Sequence, residues 1–168
     1  MSKTLLQNTG LGLLLACAIL PVACSKGAAR QERDIATEGL PADVRAAYEA
    51  AKDSVRAGDY STARTQLSHA VKLKPDFTEG WYNLGSTTAR LAAEAAALNR
   101  DAVAIALFRQ SVAEKRKAQA LILEGKWCIY GPDEQAQVTS DLDNALENAD
   151  EVMANERSLL IALKMMAR

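Results

Sequence analysis

The sequence predicts an all-α protein built from antiparallel helical hairpins. Aromatic residues make up only 5% of the 168 residues, while alanine is abundant. Sheets draw on aromatic and β-branched side chains, whereas closely packed helices favour small ones. Apolar residues recur at spacings of three and four, in segments that end at glycine or proline. This periodicity is typical of helices that bury one face.

The first 23 residues have the features of a secretory signal peptide, and we interpret residues 1–23 as one. Lys3 is the only charged residue before Lys26, and it precedes an apolar stretch over residues 11–23. That stretch is too short to span a bilayer comfortably, as expected for the apolar core of a signal peptide.

This region ends in the segment LPVAC, in which a small residue precedes Cys24. The segment resembles the lipobox of bacterial lipoproteins, although Pro21 replaces the aliphatic residue preferred there. The resemblance implies that Cys24 is lipidated and anchors the chain, since each buried methylene adds about 0.8 kcal/mol. Ser25 implies, by the same resemblance, an outer-membrane location in the bacterial envelope, facing the periplasm. The segment LLAC at Cys17 is an alternative lipidation site, and an uncleaved signal anchor is a third possibility.

Residues 24–40 carry the proposed anchor and a polar stretch, KGAARQERDIATEG, that has no strong periodicity. This composition is typical of a flexible tether. We expect the folded part to begin at Pro41, because proline suits the first turn of a helix.

Two helices, over residues 42–57 and 62–74, are predicted to form the first hairpin. Gly58 ends the first helix, Ser61 is the expected N-cap of the second, and Pro75 ends the second. The expected inward positions are Val44, Ala47, Tyr48, Ala51 and Val55 in the first helix, and Ala63, Leu67, Ala70 and Val71 in the second.

The spacing of small and large residues over 44–85 resembles the tetratricopeptide repeat, a helical hairpin with a 34-residue period. The resemblance is carried by Gly58, Tyr60, Ala63, Leu67, Ala70 and Pro75, and Trp81, Leu84 and Gly85 begin a second unit in phase. It weakens over residues 86–123, where the helix runs on to Leu98 before a turn with Asp101 as the expected N-cap. The resemblance implies two such hairpins over residues 41–124, as a fragment of a right-handed solenoid.

Residues 125–168 are predicted to form an ordered loop, 127–132, followed by one long C-terminal helix. We expect this helix to cap the last hairpin, because solenoids need a terminal covering element. Self-association through a coiled coil, giving a structural homo-oligomer, is the alternative. Both readings rest on a heptad-like stripe of Val138, Leu142, Ala145, Ala149, Val152, Leu159, Leu163 and Met166.

Residues for catalysis or metal binding are scarce. His69 is the single histidine, so one chain cannot build a multi-histidine or mixed Cys/His metal site. The sequence has neither a G-x-S-x-G elbow nor a glycine-rich phosphate loop. We therefore expect no enzyme activity, no cofactor and no metal. A net charge of −1 also argues against nucleic-acid binding. Cys128 is expected to be a small buried residue, with an intermolecular disulfide or a reactive thiol as alternatives.

A binding groove is the functional site that the resemblance implies, because tetratricopeptide repeats bind peptides along the face made by the first helix of each pair. Cations and tyrosines on this face would favour an acidic segment or a C-terminal carboxylate. We therefore predict an envelope-anchored adaptor or assembly factor for protein–protein interaction. The alternative is that these are ordinary solvated residues. The predicted partner-binding residues are Arg45, Tyr48, Lys52, Arg56, Tyr82, Asn83 and Arg90, with Glu79 and Ser86 on the same face.

Overall fold

The computed structural model describes residues 37, 39–147 and 149–167. The predicted signal peptide, Cys17 and Cys24 lie outside these residues. Within them every regular element is a helix and none is a strand, which confirms the all-α prediction. The helices are α1 (Ala42–Arg56), α2 (Tyr60–Leu73), α3 (Thr78–Ala97), α4 (Asp101–Leu123), α5 (Pro132–Glu147), α6 (Ala149–Ala154) and α7 (Glu156–Met166). None of these described helices is both long enough and apolar enough to cross a bilayer.

The first hairpin pairs α1 with α2 across a short turn. Gly58 has a φ of 77° there, a left-handed conformation that glycine adopts without a steric penalty. The expected N-cap, Ser61, is wrong: Asp59 caps α2, with its side chain accepting a hydrogen bond from the Thr62 amide at 3.0 Å. The helix begins earlier than the sequence suggested, so Ser61 lies inside its first turn and is exposed.

Most of the expected inward positions of this hairpin are buried, and together with Leu40 and Phe77 they form the first core cluster. Ala47 is half-buried against this cluster, and Val55 is 39% exposed. Thr37 and Leu40 are also buried, so the described end of the expected tether packs against the folded part.

The second hairpin, α3 and α4, packs closely because its contact residues are small. Ala92, Ala96 and Ala104 are each 0% exposed. At Gly85 a β-carbon would lie 3.1 Å from the Ser111 carbonyl oxygen, and the Ser111 hydroxyl donates to the Gly85 carbonyl at 2.8 Å. Only a residue without a side chain allows this approach of two backbones.

The turn between α3 and α4 lies at Leu98–Arg100, one residue before the Asn99–Asp101 turn that the sequence predicts. Asn99 has a φ of 55°, which asparagine tolerates better than most residues. The predicted cap is wrong, because Asp101 is already helical and Arg100 holds the N-cap position without a side-chain hydrogen bond. Asp101 instead lies 3.7 Å from the Lys164 ammonium, on α7.

The C-terminal region is not the single long helix that the sequence predicted. The helix is broken at Asn155, which has extended backbone angles and accepts a hydrogen bond from the Ser158 amide at 3.1 Å. Asparagine is a strong N-cap, so a new helix, α7, begins there.

The apolar stripe of this region is buried within the chain at its strongest positions. Leu159 and Leu163, on α7, pack against alanines of α3 and α4, and Val138 and Leu142, on α5, pack near Ala118 of α4. The C-terminal segments therefore cover the second hairpin, and pairing two chains through this stripe would require these contacts to open.

Candidate functional site: the groove between α1 and α3

A cavity of about 240 Å³ opens between α1, α2 and α3. Its walls combine aliphatic side chains with cations and hydrogen-bonding groups, which is the mixture typical of binding pockets. Four of the seven predicted partner-binding residues meet here, and the cavity is lined by Tyr48, Ala51, Lys52, Val55, Arg56, Leu67, Asn83 and Thr87.

Tyr48 lines the groove and supplies a hydroxyl to it, while its ring packs in the hydrophobic core. The ring packs edge-on against Phe77, with centroids 5.0 Å apart, and only 2% of the residue is exposed. Its hydroxyl accepts a hydrogen bond from the Asn83 amide at 2.9 Å and lies 3.4 Å from the Tyr130 hydroxyl. Burial and the neighbouring Tyr130 raise the pKa of Tyr48. The hydroxyl therefore stays protonated at neutral pH and serves as a fixed hydrogen-bonding group.

Lys52 and Arg56 give the groove its positive charge. The Lys52 ammonium lies 5.5 Å from the centre of the Tyr48 ring and 3.4 Å from the Glu49 carboxylate. Arg56 pairs with Asp53 at 2.5 Å, and both side chains of that pair are largely exposed. Exposed pairs one helical turn apart contribute only about 0.3–0.5 kcal/mol, so a better placed anion can compete for both cations.

The other three predicted partner-binding residues, Tyr82, Arg90 and Arg45, do not line this cavity. The Tyr82 hydroxyl donates to Asp141 at 3.2 Å, on α5, and burial together with that carboxylate raises the pKa of Tyr82 to about 12. Arg90 donates to the Met166 carbonyl at 3.1 Å and lies over the Tyr60 ring. Arg45 is half-exposed and does not line the cavity. The predicted binding surface is thus split into two parts. Tyr48 lines the cavity, whereas Tyr82 is covered by the C-terminal region.

Glu79 holds that covering segment in place. Its Oε1 atom accepts hydrogen bonds from three successive backbone amides, those of Cys128, Ile129 and Tyr130, at 2.9, 2.7 and 3.0 Å. The Thr78 hydroxyl also donates to the Lys126 carbonyl. Glu79 is 0% exposed. The sequence predicts this carboxylate on the open binding face, but it is buried and its hydrogen bonds hold the loop.

Tyr130 contacts the site although the sequence predicts no role for it there. The sequence predicts only an ordered loop at this position, yet the Tyr130 hydroxyl accepts a hydrogen bond from the Asn83 amide at 3.2 Å. No spacing rule could have found this contact, because it joins positions 47 residues apart. The loop that carries Tyr130 is therefore tied to two residues of the groove, Tyr48 and Asn83.

Cys128 is half-buried in this loop, and its thiol lies 3.8 Å from the Asp76 carbonyl. Burial, followed by the charge of Glu79, raises the pKa of the Cys128 thiol. Since the thiolate is the reactive form, this environment disfavours nucleophilic chemistry. Among the residues that the structure describes, no three His, Cys, Asp or Glu side chains are grouped so as to hold a metal ion.

Comparisons of this chain with protein-family models, with curated proteins and with solved structures find no match.

Proposed function

We propose that this chain is a tetratricopeptide-type interaction module that binds a protein or peptide partner in the groove between α1 and α3. The observation that carries the proposal is the meeting of Tyr48, Lys52, Arg56 and Asn83 around one cavity. Aliphatic walls at Ala51 and Leu67 would hold an apolar side chain, while Lys52 and Arg56 would orient a carboxylate.

The favoured partner chemistry is an acidic segment or a C-terminal carboxylate next to an aliphatic side chain. Lys52 and Arg56 line the cavity with side chains that are 30% and 48% exposed. Charge-assisted hydrogen bonds to a carboxylate are about twice as strong as neutral ones.

Site-specific photo-crosslinking in envelope preparations tests this proposal. A crosslinking amino acid at position Val55, on the cavity wall, is expected to capture a partner, whereas one at Leu73 is not. The two sites are matched in exposure, at 39% and 41%, but Leu73 does not line the cavity. The Val55 product should fall at least fivefold when Lys52→Ala and Arg56→Ala are combined. Equal capture at both sites, or capture insensitive to the double substitution, would count against the groove.

The proposal places the module at the bacterial outer membrane, facing the periplasm, through lipid on Cys24. Metabolic labelling with a fatty acid is expected to be lost in Cys24→Ser and retained in Cys17→Ser. The opposite result would move the anchor to Cys17. Label in both single variants would contradict a single lipidated cysteine.

A further inference from the structure

The helix α5 lies on the part of the predicted binding surface that carries Tyr82. Its two buried side chains, Val138 and Leu142, form a small core with residues of α3 and α4. These residues are named here the covered face, and they are Trp81, Tyr82, Ala118 and Ile122. Tyr130 packs against the same core and also contacts Tyr48 and Asn83. The covered face is therefore continuous with the groove between α1 and α3.

The polar contacts of α5 with this face are made by its carboxylates. Asp141 accepts a hydrogen bond from the Tyr82 hydroxyl at 3.2 Å, and Asp143 accepts one from the Gln119 side-chain amide at 3.0 Å. Burial lowers the pKa of Lys115, on α4, and the charge of Asp141 opposes that change. The helix α5 contains five acidic residues and no basic one. Hydrogen-bond donors and a cation of α3 and α4 thus face an acidic helix.

The same helix is held more weakly than the segments on either side of it. Only two of its 16 residues are buried, and its two hydrogen bonds to α3 and α4 in the described part of the chain involve exposed carboxylates. The preceding loop is bound by Glu79 through three amides, and Leu159 and Leu163 of α7 are buried against the second hairpin. Few buried apolar contacts and exposed hydrogen bonds are features of segments that open locally.

We propose that α5 is a displaceable strap, and that the covered face binds an acidic amphipathic helix of a partner protein when the strap lifts. The helix α5 shows which pattern fits: Val138 and Leu142 lie four positions apart, and Asp141 lies three positions after Val138. Residues three and four apart share one side of a helix, and such anchors are how a groove recognises a helix. The inference rests on the proposed interaction function and extends its site from Tyr48 to Tyr82.

Hydrogen exchange of the full chain, followed by mass spectrometry, tests whether α5 opens by itself. The amides of α5 are expected to exchange at least tenfold faster than those of α7. The helix α7 is a suitable comparison because it also has two buried residues. Equal protection of the two helices would show that α5 opens only together with the rest of the C-terminal region, which would overturn the strap.

A labelled peptide with the sequence of residues 131–147 tests the covered face, with binding measured by fluorescence anisotropy. The peptide is expected to bind Leu142→Ala at least tenfold more tightly than the unmodified chain, because this variant weakens the chain's own α5. Val138→Ala removes fewer atoms and should act in the same direction. Leu163→Ala is the matched control, since Leu163 is 0% exposed and Leu142 is 1% exposed. Equal peptide binding by Leu142→Ala and Leu163→Ala, or no binding by either, would contradict the proposal.

Changes in the peptide test the partner chemistry. A peptide carrying Asp141→Ala should bind Leu142→Ala at least fivefold more weakly, whereas one carrying Asp133→Ala should bind as before, because Asp133 is exposed and lies away from the covered face in α5. Equal weakening by the two changes would show that charge alone, and not the pattern, attracts the peptide.

Photo-crosslinking at position Val55 separates this proposal from the proposed function. If both hold, Leu142→Ala should raise partner capture at Val55 at least threefold. Peptide binding to Leu142→Ala without capture at Val55 would support the covered face and reject the groove. Capture at Val55 without peptide binding would support the groove and reject the strap.

Discussion

At the scale of single residues, Glu79 joins the repeat-like part of the chain to its C-terminal part. One carboxylate oxygen meets three successive amides of the loop, and such clusters of backbone N–H groups are natural sites for an anion. Here the Glu79 carboxylate occupies that position. Glu79 thus contributes most of the hydrogen bonds that hold the loop, and with it the contact of Tyr130 with Tyr48 and Asn83.

Glu79→Ala is therefore expected to lower the free energy of unfolding by about 3 kcal/mol or more, since each hydrogen bond to a charged group contributes about 1.5–3 kcal/mol. Urea unfolding followed by tryptophan fluorescence measures this loss. Glu134→Ala is the matched control, because the Glu134 carboxylate is exposed and accepts one loop amide, that of Gly131 at 2.8 Å. Similar losses in the two variants would show that the Glu79 cluster has no special role.

At the scale of the helices, the N-cap of α2 is Asp59, and its contribution to stability can be measured. The hydrogen bond from Thr62 lowers the pKa of Asp59, so the capping contribution is present above the ordinary carboxyl pKa of 3.8. This contribution to stability is lost as the pH falls through the lowered pKa of Asp59. Asp59→Ala should lower the melting temperature at pH 7, and its difference from the unmodified chain should shrink below pH 3.8.

Ser61→Ala provides the comparison for that experiment, since Ser61 was the cap expected from the sequence. Its effect on the melting temperature at pH 7 should be smaller than that of Asp59→Ala. A larger effect of Ser61→Ala, or a pH-independent effect of Asp59→Ala, would contradict the capping contact.

The close approach of α3 and α4 depends on Gly85. Alanine there would gain about 0.5–1 kcal/mol of helix stability, but its β-carbon would lie 3.1 Å from the Ser111 carbonyl oxygen and 3.2 Å from the Lys115 amide nitrogen. Backbone atoms in a helix cannot yield locally, and overpacking costs about 1–3 kcal/mol. Gly85→Ala should therefore destabilise the protein by about 1 kcal/mol or more.

Thermal unfolding measures this effect, with Gly131→Ala as the control. A β-carbon at Gly131 would meet only the Glu134 side chain, at 3.5 Å, so the change in stability should stay within about 0.5 kcal/mol. Stabilisation by Gly85→Ala would show that α3 and α4 can separate without cost.

At the scale of the whole molecule, α7 completes the core that the alanines of α3 and α4 leave open. Leu163 is 0% exposed against these alanines, and a buried Leu→Ala change costs about 2–5 kcal/mol. Leu163→Ala should lower the free energy of unfolding by that amount, as measured by urea titration. Ile161→Ala, on the same helix but 55% exposed, should change it by less than about 0.5 kcal/mol. If Leu163→Ala changed the oligomeric state in light scattering and left stability intact, the stripe would serve self-association instead.

The sequence by itself determined the helical class, the turns at Gly58 and Asn99 and most inward positions of the first hairpin. Those features follow from local periodicity and from the backbone freedom of single residues, both of which can be read along the chain. Four of the predicted groove residues line one cavity for the same reason, since they lie on the inner sides of helices whose spacing was recognisable.

Only the tertiary structure decided the rest. The break at Asn155 could not be read from the apolar stripe, because the stripe stays in phase across it and only Glu156 interrupts it. The placing of Glu114 and Arg64 around one cavity between α2 and α4 depends on how separate helices pack. Tyr130 reaches Tyr48 and Asn83 on a loop that is bound by Glu79, far away in sequence. Hydrogen bonds between residues far apart in sequence produce no periodic pattern in the sequence. The shape of the site therefore depends on how the helices pack.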